Sequence, residues 1–146
     1  MSETVFPVDM SGMSLFDWKS ELNVGHPEID SQHQRLFRIA GEMHAAMLAG
    51  KGRAIMEKIL ENLVAYTKLH FASEEGLMQK HRYPEYPKHK AEHDKLTAQV
   101  VAFQKEFQIG HKSISIDLMK FLSDWLNHHI GETDRKIAAF LREKAA

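Results

Sequence analysis

Two pairs of residues in the stretch HFASEEGLMQKHRYPEYPKHKAEH, residues 70–93, have the types and spacing to bind a metal ion. His70 and Glu74 stand four apart before a proline-containing turn, and His89 and His93 stand four apart after it. On an α-helix, residues four apart share a face, one turn above the other, so each pair can converge on a single point. Two such pairs on adjacent antiparallel helices define a site built from imidazole nitrogen and carboxylate oxygen.

The composition narrows the chemistry further. Cysteine is absent, so a disulfide framework, a thiolate zinc site and a thiol nucleophile are all excluded. Nineteen Lys and Arg nearly balance twenty Asp and Glu, which leaves no long-range field to draw nucleic acid or an anionic membrane. The first residues, MSETVFPVDM, lack the basic start and apolar run of a secretory signal, and no stretch approaches the roughly 20 apolar residues of a membrane span. The expectation is a cytoplasmic protein of one domain, since 146 residues suffice for a single core. Ten histidines are the compositional oddity.

The elements that must position these residues are helices. Residues 1–29 carry Pro7, Gly12, Gly25 and Pro27 without a sustained period and read as an N-terminal arm, pinned to the domain by Phe16, Trp18, Leu22 and Val24. Residues 30–146 form the bundle. Asp30 occupies the place of a helix N-cap, ahead of a stripe of Ile29, His33, Leu36, Ala40, Met43 and Met47 that ends at Gly50-Lys51-Gly52. A second helix over about residues 53–80 carries Leu60, Leu63, Thr67, His70, Glu74 and Leu77 on one face, until the prolines at 84 and 87 break the pattern. A third, about 85–107, shows His89, His93, Leu96, Val100, Phe103 and Phe107. A fourth begins near Ile114 with Leu118, Leu122, Trp125 and His129, weakens at Gly131, and leads to a short fifth containing Ile137, Phe140 and Leu141. Long helices, short connections and no strand-like alternation predict an all-α, antiparallel up-down-up-down four-helix bundle with an N-terminal arm and a short C-terminal helix.

His33, His70, Glu74, His89, His93 and His129 thus occupy seam positions that elsewhere hold Leu, Val, Met or Phe, and they come from all four helices. Each unpaired polar group buried there costs several kcal/mol, and an ionised carboxylate costs more. A multivalent cation removes that cost by bonding the lone pairs and neutralising the acid. Six seam ligands exceed a tetrahedral zinc site and suit two metals better than one. The nearest further acid is Asp134, five residues after His129. On an unbroken helix it would be rotated by about 140°, and Gly131 suggests a local break that turns it inward.

The segments VGHPEIDSQHQRLF (24–37), HFASEEGLM (70–78), YPEYPKHKAEH (83–93) and WLNHHIGETD (125–134) resemble the hemerythrin family, in particular its bacterial single-domain members. His26 departs from the family, which usually has an apolar residue there, and is expected to alter only the packing of the entry turn. The resemblance implies two iron ions with a bridging oxo or hydroxo group. One iron would be held by His89, His93 and His129 and the other by His33 and His70, with Glu74 and Asp134 bridging. The second iron then has one coordination position left for O2. By the same resemblance Leu126 and Ile130 wall the O2 pocket, with Trp125 and Leu77 nearby.

The resemblance implies reversible O2 binding for storage, delivery or scavenging, by a binder rather than an enzyme. The protein recipient or electron donor is not legible. A sensor module whose arm or C-terminal helix responds to the centre is the first alternative. A diiron enzyme reducing O2, peroxide or nitric oxide is the second. Ferritin-like diiron oxidases carry Glu-x-x-His pairs, which this chain lacks. The remaining histidines, His26, His44, His81, His111 and His128, fall in turns or off the ligand set.

Overall fold

The computed structural model describes residue 16, residues 18–110 and residues 116–145. A 3-10 turn at Ser20–Leu22 leads into α1 (Pro27–Leu48), α2 (Arg53–Lys80), α3 (Tyr86–Gln108) and α4 (Ile116–His128). A π-helical segment, His129–Asp134, joins α4 without interruption to α5 (Arg135–Ala145). The fold is the expected antiparallel bundle of four helices with a C-terminal helix, and no strand occurs among the described residues. Most of the arm expected over 1–29, and the start of the fourth helix expected at Ile114, lie outside the described residues.

The entry to α1 differs from expectation. Asp30 is not the N-cap. The helix begins four residues earlier than an Asp30 cap would place it, because Pro27 is pre-set for the first helical position and the His26 ring supplies the cap, its Nδ1 accepting from Ile29 N at 3.3 Å. Asp30, one turn inside, reaches back to accept from Val24 N at 2.7 Å and Gly25 N at 3.2 Å. Gly25 makes the turn with φ +91°, and the Arg142 guanidinium lies where a Cβ would stand. Arg142 also donates to Val24 O at 2.5 Å, and Arg135 donates to Glu21 O at 2.6 Å and Asn23 O at 3.2 Å. The residues just ahead of α1 are therefore tied to α5 through backbone carbonyls and to α1 through backbone N–H groups.

Helix ends follow ordinary chemistry. Gly50, at φ +69°, closes α1, with Lys51 N returning to Ala46 O. At the end of α2 the left-handed position is filled by Arg82, φ 57°, and Tyr83 N bonds Met78 O at 2.8 Å. Pro84 lies in the connection, whereas Pro87 falls in the first turn of α3, where it forfeits no helical hydrogen bond.

Two apolar clusters bracket a polar layer. The larger contains Phe16, Leu36, Leu60, Leu63, Phe71, Phe107, Leu122, Trp125, Leu126 and Ile130, and the smaller contains Val24, Ile29, Met78, Tyr83, Ile137 and Leu141. Along α1 the order is Ile29, His33, Leu36; along α2 it is Phe71, Glu74, Met78; from α4 onward it is Ile130, Asp134, Ile137. The residue that continues the α2 seam beyond Glu74 is Met78, fully buried at a spacing of four, while Leu77 is half-buried against the smaller cluster. In α3, Leu96, Val100 and Phe103 only partly enclose the core, and Phe107 is the buried apolar anchor.

If Asp30 holds the entry turn, Asp30→Ala should destabilise the protein by about 1–2 kcal/mol, a melting shift of about 2–8 °C, because it leaves two N–H groups without their acceptor. Thermal denaturation followed by circular dichroism measures this, and an unchanged midpoint would reject the role.

Candidate metal centre

The polar layer is assembled from α1, α2, α3 and the π-helical segment that continues α4. His33 comes from α1, His70 and Glu74 from α2, His89 and His93 from α3, and His129 and Asp134 from the two ends of the π-helical segment. His33, His70, Glu74 and Asp134 are fully buried, His93 and His129 are 1 % exposed, and His89 is 5 % exposed. The seven side chains form two groups of potential ligands, each with its ligand atoms within 4.8 Å of one another. One group is Glu74, His89, His93, His129 and Asp134; the other is His33, His70, Glu74 and Asp134.

The two carboxylates belong to both groups, and each divides its oxygens between them. Glu74 Oε1 faces His93 Nε2 at 3.1 Å and His129 Nε2 at 3.6 Å, while its Oε2 faces His70 Nε2 at 3.3 Å and His33 Nε2 at 3.8 Å. Asp134 repeats the pattern. Its Oδ1 lies 3.1 Å from His129 Nε2 and 3.5 Å from His89 Nε2, and its Oδ2 lies 2.6 Å from His33 Nε2 and 3.4 Å from His70 Nε2. All five imidazoles therefore turn the same nitrogen inward.

Asp134 reaches this layer because the π-helical segment widens the turn. Hydrogen bonding from i to i+5 places residues five apart nearly above one another, so His129 and Asp134 share a face that an α-helix would have denied them. The cause is thus a wider turn rather than a break at Gly131, whose surroundings are open. Arg135 stabilises the segment by donating from Nε to Gly131 O at 3.1 Å.

Several inward atoms have no hydrogen-bond partner among the described residues: both oxygens of Glu74, Oδ1 of Asp134, and Nε2 of His89, His93 and His129. Lone pairs left bare in a core are expensive unless a cation takes them. The donors are all nitrogen or oxygen, which suits a divalent or trivalent transition metal. Behind the layer, His70 Nδ1 lies 2.8 Å from Gln32 Oε1, and His93 Nδ1 lies 2.9 Å from Glu75 Oε2. Such outward partners fix ring orientation.

Electrostatics show how the layer is balanced by protons alone. Burial alone would lower the pKa of His70, but the charge of Glu74 and the hydrogen bond to Asp134 raise it to about 9. His129, likewise against burial, is raised to about 10 by Asp134 and Glu74. Burial and the charge of Asp134 would push Glu74 up, yet His70, His129 and His33 hold it well below the usual carboxylate range. Asp134 is held down in the same way, against burial, by His129 first and then by His33 and His70. Without a metal, two anions are offset by two imidazolium ions.

The expected pocket residues divide. Trp125 stacks on His129 with ring centroids 5.8 Å apart and meets Phe71 edge-on, and Leu126 and Ile130 are buried in the same cluster. Leu77 packs with the other cluster instead. Phe71 stacks flat on His93, 3.9 Å between centroids. Periodicity gives no pointer to Gln32 or Glu75, because their role is visible only from which way a neighbouring ring turns; the one signal is that each is adjacent in sequence to a seam residue. His26 caps α1, His44 is buried against Phe16, and His128 is exposed and paired with Glu132. His81 is half-buried at the end of α2, and His111 lies outside the described residues.

Comparison with known proteins agrees with this geometry. The sequence model of the hemerythrin HHE cation binding domain matches residues 24–141. A bacteriohemerythrin of Methylococcus capsulatus is 36% identical over 126 residues, covering 84% of this chain and 94% of that protein. One from Stenotrophomonas maltophilia is also 36% identical over 126 residues, covering 86% and 81%. The crystal structure of wild-type hemerythrin superposes with a TM-score of 0.79 at 35% identity, covering 86% of this chain and 96% of that one. With the family model spanning all seven buried side chains, the chain belongs to the hemerythrin family.

Proposed function

We propose that the chain binds dioxygen reversibly at a pair of iron ions, for storage, delivery or scavenging, and that it is a binder rather than an enzyme. The observation that carries this reading is the division of both carboxylates: Glu74 and Asp134 each offer one oxygen to His89, His93 and His129 and the other to His33 and His70. Bridging carboxylates hold two metals rather than one. One position then has five side-chain ligands and the other four, so the His33 and His70 side keeps room for a small ligand. When bound there, the iron pair supplies redox-active metal with a coordination position for a diatomic molecule.

The side chains do the rest. The five histidines and two carboxylates hold the charge balance. Trp125, Phe71, Leu126 and Ile130 keep water and protons away from it, since each is buried beside the layer. The ligand set carries only two anionic side chains, fewer than ferritin-like oxidases use. That stabilises high-valent metal less and favours binding over turnover. One observation favours a sensor as the second reading: Arg135 directly follows Asp134 and donates to the carbonyls of Glu21 and Asn23, so a shift of the π-helical segment would be felt in the arm. Partner-dependent signalling that differs between reduced and oxygenated forms would identify it.

Anaerobic loading with ferrous iron should give about two metals per chain and a visible band that comes and goes through cycles of air and argon. Irreversible bleaching would contradict reversible binding. Glu74→Ala should lower iron content sharply, and unchanged loading would reject the bridging role.

Metal uptake should also depend on pH. In the metal-free protein, His70 and His129 are raised to about 9 and about 10. Their ion pairs add stability fully present below the unfolded imidazole value of about 6.5 and lost as pH rises through about 9–10. A metal must displace those protons, so uptake near neutral pH should release about two protons per chain and tighten as pH rises. Calorimetry in buffers of different ionisation enthalpy measures the release, and uptake without it would contradict the charge balance. For the pocket, Leu126→Ala should shorten the life of the oxygenated form several-fold in a visible autoxidation assay; equal lifetimes would exclude a shielding role.

A further inference from the structure

On the side of His70 turned away from Glu74 and Asp134, three polar side chains form an unbroken line to the surface. His70 Nδ1 lies 2.8 Å from Gln32 Oε1, Gln32 Nε2 donates to Ser73 Oγ at 3.0 Å, and Ser73 Oγ donates to Glu28 Oε2 at 3.0 Å. His70 is fully buried, Gln32 is 9 % exposed, and Glu28 stands in solvent. The line joins α1 and α2 and uses no residue of the ligand set other than His70.

Its direction follows from its outer end. An ionised carboxylate only accepts, so Ser73 commits its one hydroxyl proton to Glu28 and keeps lone pairs to receive another bond. Gln32 therefore turns its amide NH2 to Ser73 and its carbonyl to His70. A carbonyl also only accepts, so the proton between them sits on His70 Nδ1, and Nε2 is the nitrogen that can give its lone pair to a metal once its own proton has left. Reversing the Gln32 amide would require Ser73 to abandon Glu28.

The other imidazoles are treated differently. His93 Nδ1 is backed at 2.9 Å by Glu75, a carboxylate itself 3.6 Å from Lys90 Nζ. His33 Nδ1 and His129 Nδ1 have no hydrogen-bond partner among the described residues; Glu92 Oε1 stands 4.0 Å from the latter. Among the described residues, His93 on one side of the carboxylates is thus backed by a charged group and His70 on the other by a neutral amide. A carboxylate partner raises ligand basicity more than an amide does.

We infer that Glu28, Ser73 and Gln32 act as a positioning relay of fixed direction for His70, and that the neutral amide leaves the His33 and His70 position a weaker electron donor than the position that includes His93. The inference rests on the two-metal reading. It makes Gln32 a positioning residue for the side that takes the small ligand.

Zinc(II) titration of the metal-free full chain against a chromophoric chelator tests it, because two binding steps can be followed without iron chemistry. Gln32→Leu should weaken the looser step about tenfold or more while leaving the tighter one within about twofold. Ser73→Ala, at a half-buried site, should produce the same selective loss at smaller size. Gln32→Glu keeps the acceptor and should restore the looser step, and in the iron-loaded protein it should lower the midpoint potential. Equal weakening of both steps by Gln32→Leu and Ser73→Ala, or no effect of either, would overturn the relay. A parent chain that binds a single zinc would instead defeat the two-metal reading and the inference with it, whereas two steps insensitive to Gln32 and Ser73 would defeat the inference alone.

Discussion

Two carboxylates, Glu74 and Asp134, lie fully buried and side by side in the middle of a four-helix bundle, and the rest of the structure is an answer to that charge. A pair of anions removed from water costs far more than a bundle of this size can spare unless positive charge lies against it. Five imidazoles, drawn from α1, α2, α3 and the π-helical segment, surround the pair and turn the same nitrogen toward it. Protons on His70 and His129 can balance the charge, but they leave other lone pairs bare. Multivalent metal satisfies both needs together, and because each carboxylate points one oxygen to each side, the arrangement accommodates two ions more naturally than one.

The bundle is built to keep that layer dry and in register. Apolar clusters close it above and below, with Phe71 flat on His93 and Trp125 leaning over His129 at 26°. Rings stacked on aromatic faces lose little freedom when a ligand binds, so the site is largely pre-formed. The π-helical segment contributes what no straight helix could, two buried donor side chains five residues apart on one face. Local geometry that departs from the α-helix is common at functional sites, and here the departure has a definite use. The arm residues ahead of α1 are fastened to the same end of the molecule through Arg135 and Arg142, so the segment bearing Asp134 is braced from outside.

Much of this was legible in the sequence because burial and polarity conflict there. His33, His70, Glu74, His89, His93 and His129 sit on helical seams at steps of three and four, which is enough to place them inside without coordinates. From spacing alone Asp134 was visible only as a nearby acid that a break at Gly131 would turn inward, and the family resemblance was what named it as a bridging residue; its spacing of five is wrong for an α-helix and nothing in residues 129–134 announces a wider turn. The helix start was misplaced at Asp30 because an aspartate ahead of an apolar stripe has the same signature whether it caps the helix or reaches back from inside it; Pro27 was the better guide. Leu77 was put on the seam in place of Met78 because steps of three and four cannot be told apart when both candidates are apolar. Gln32 and Glu75 carry no periodic signal at all. Their contribution depends on hydrogen-bond direction, which appears only when the rings have positions.

Mössbauer spectroscopy of the fully loaded chain, enriched in iron-57 and held anaerobically and then under oxygen, tests the two-metal centre most directly. Two unequal ligand sets sharing carboxylates should give, after oxygenation, two distinct iron signals of equal area from a magnetically coupled pair. A single signal from one isolated iron per chain would contradict it.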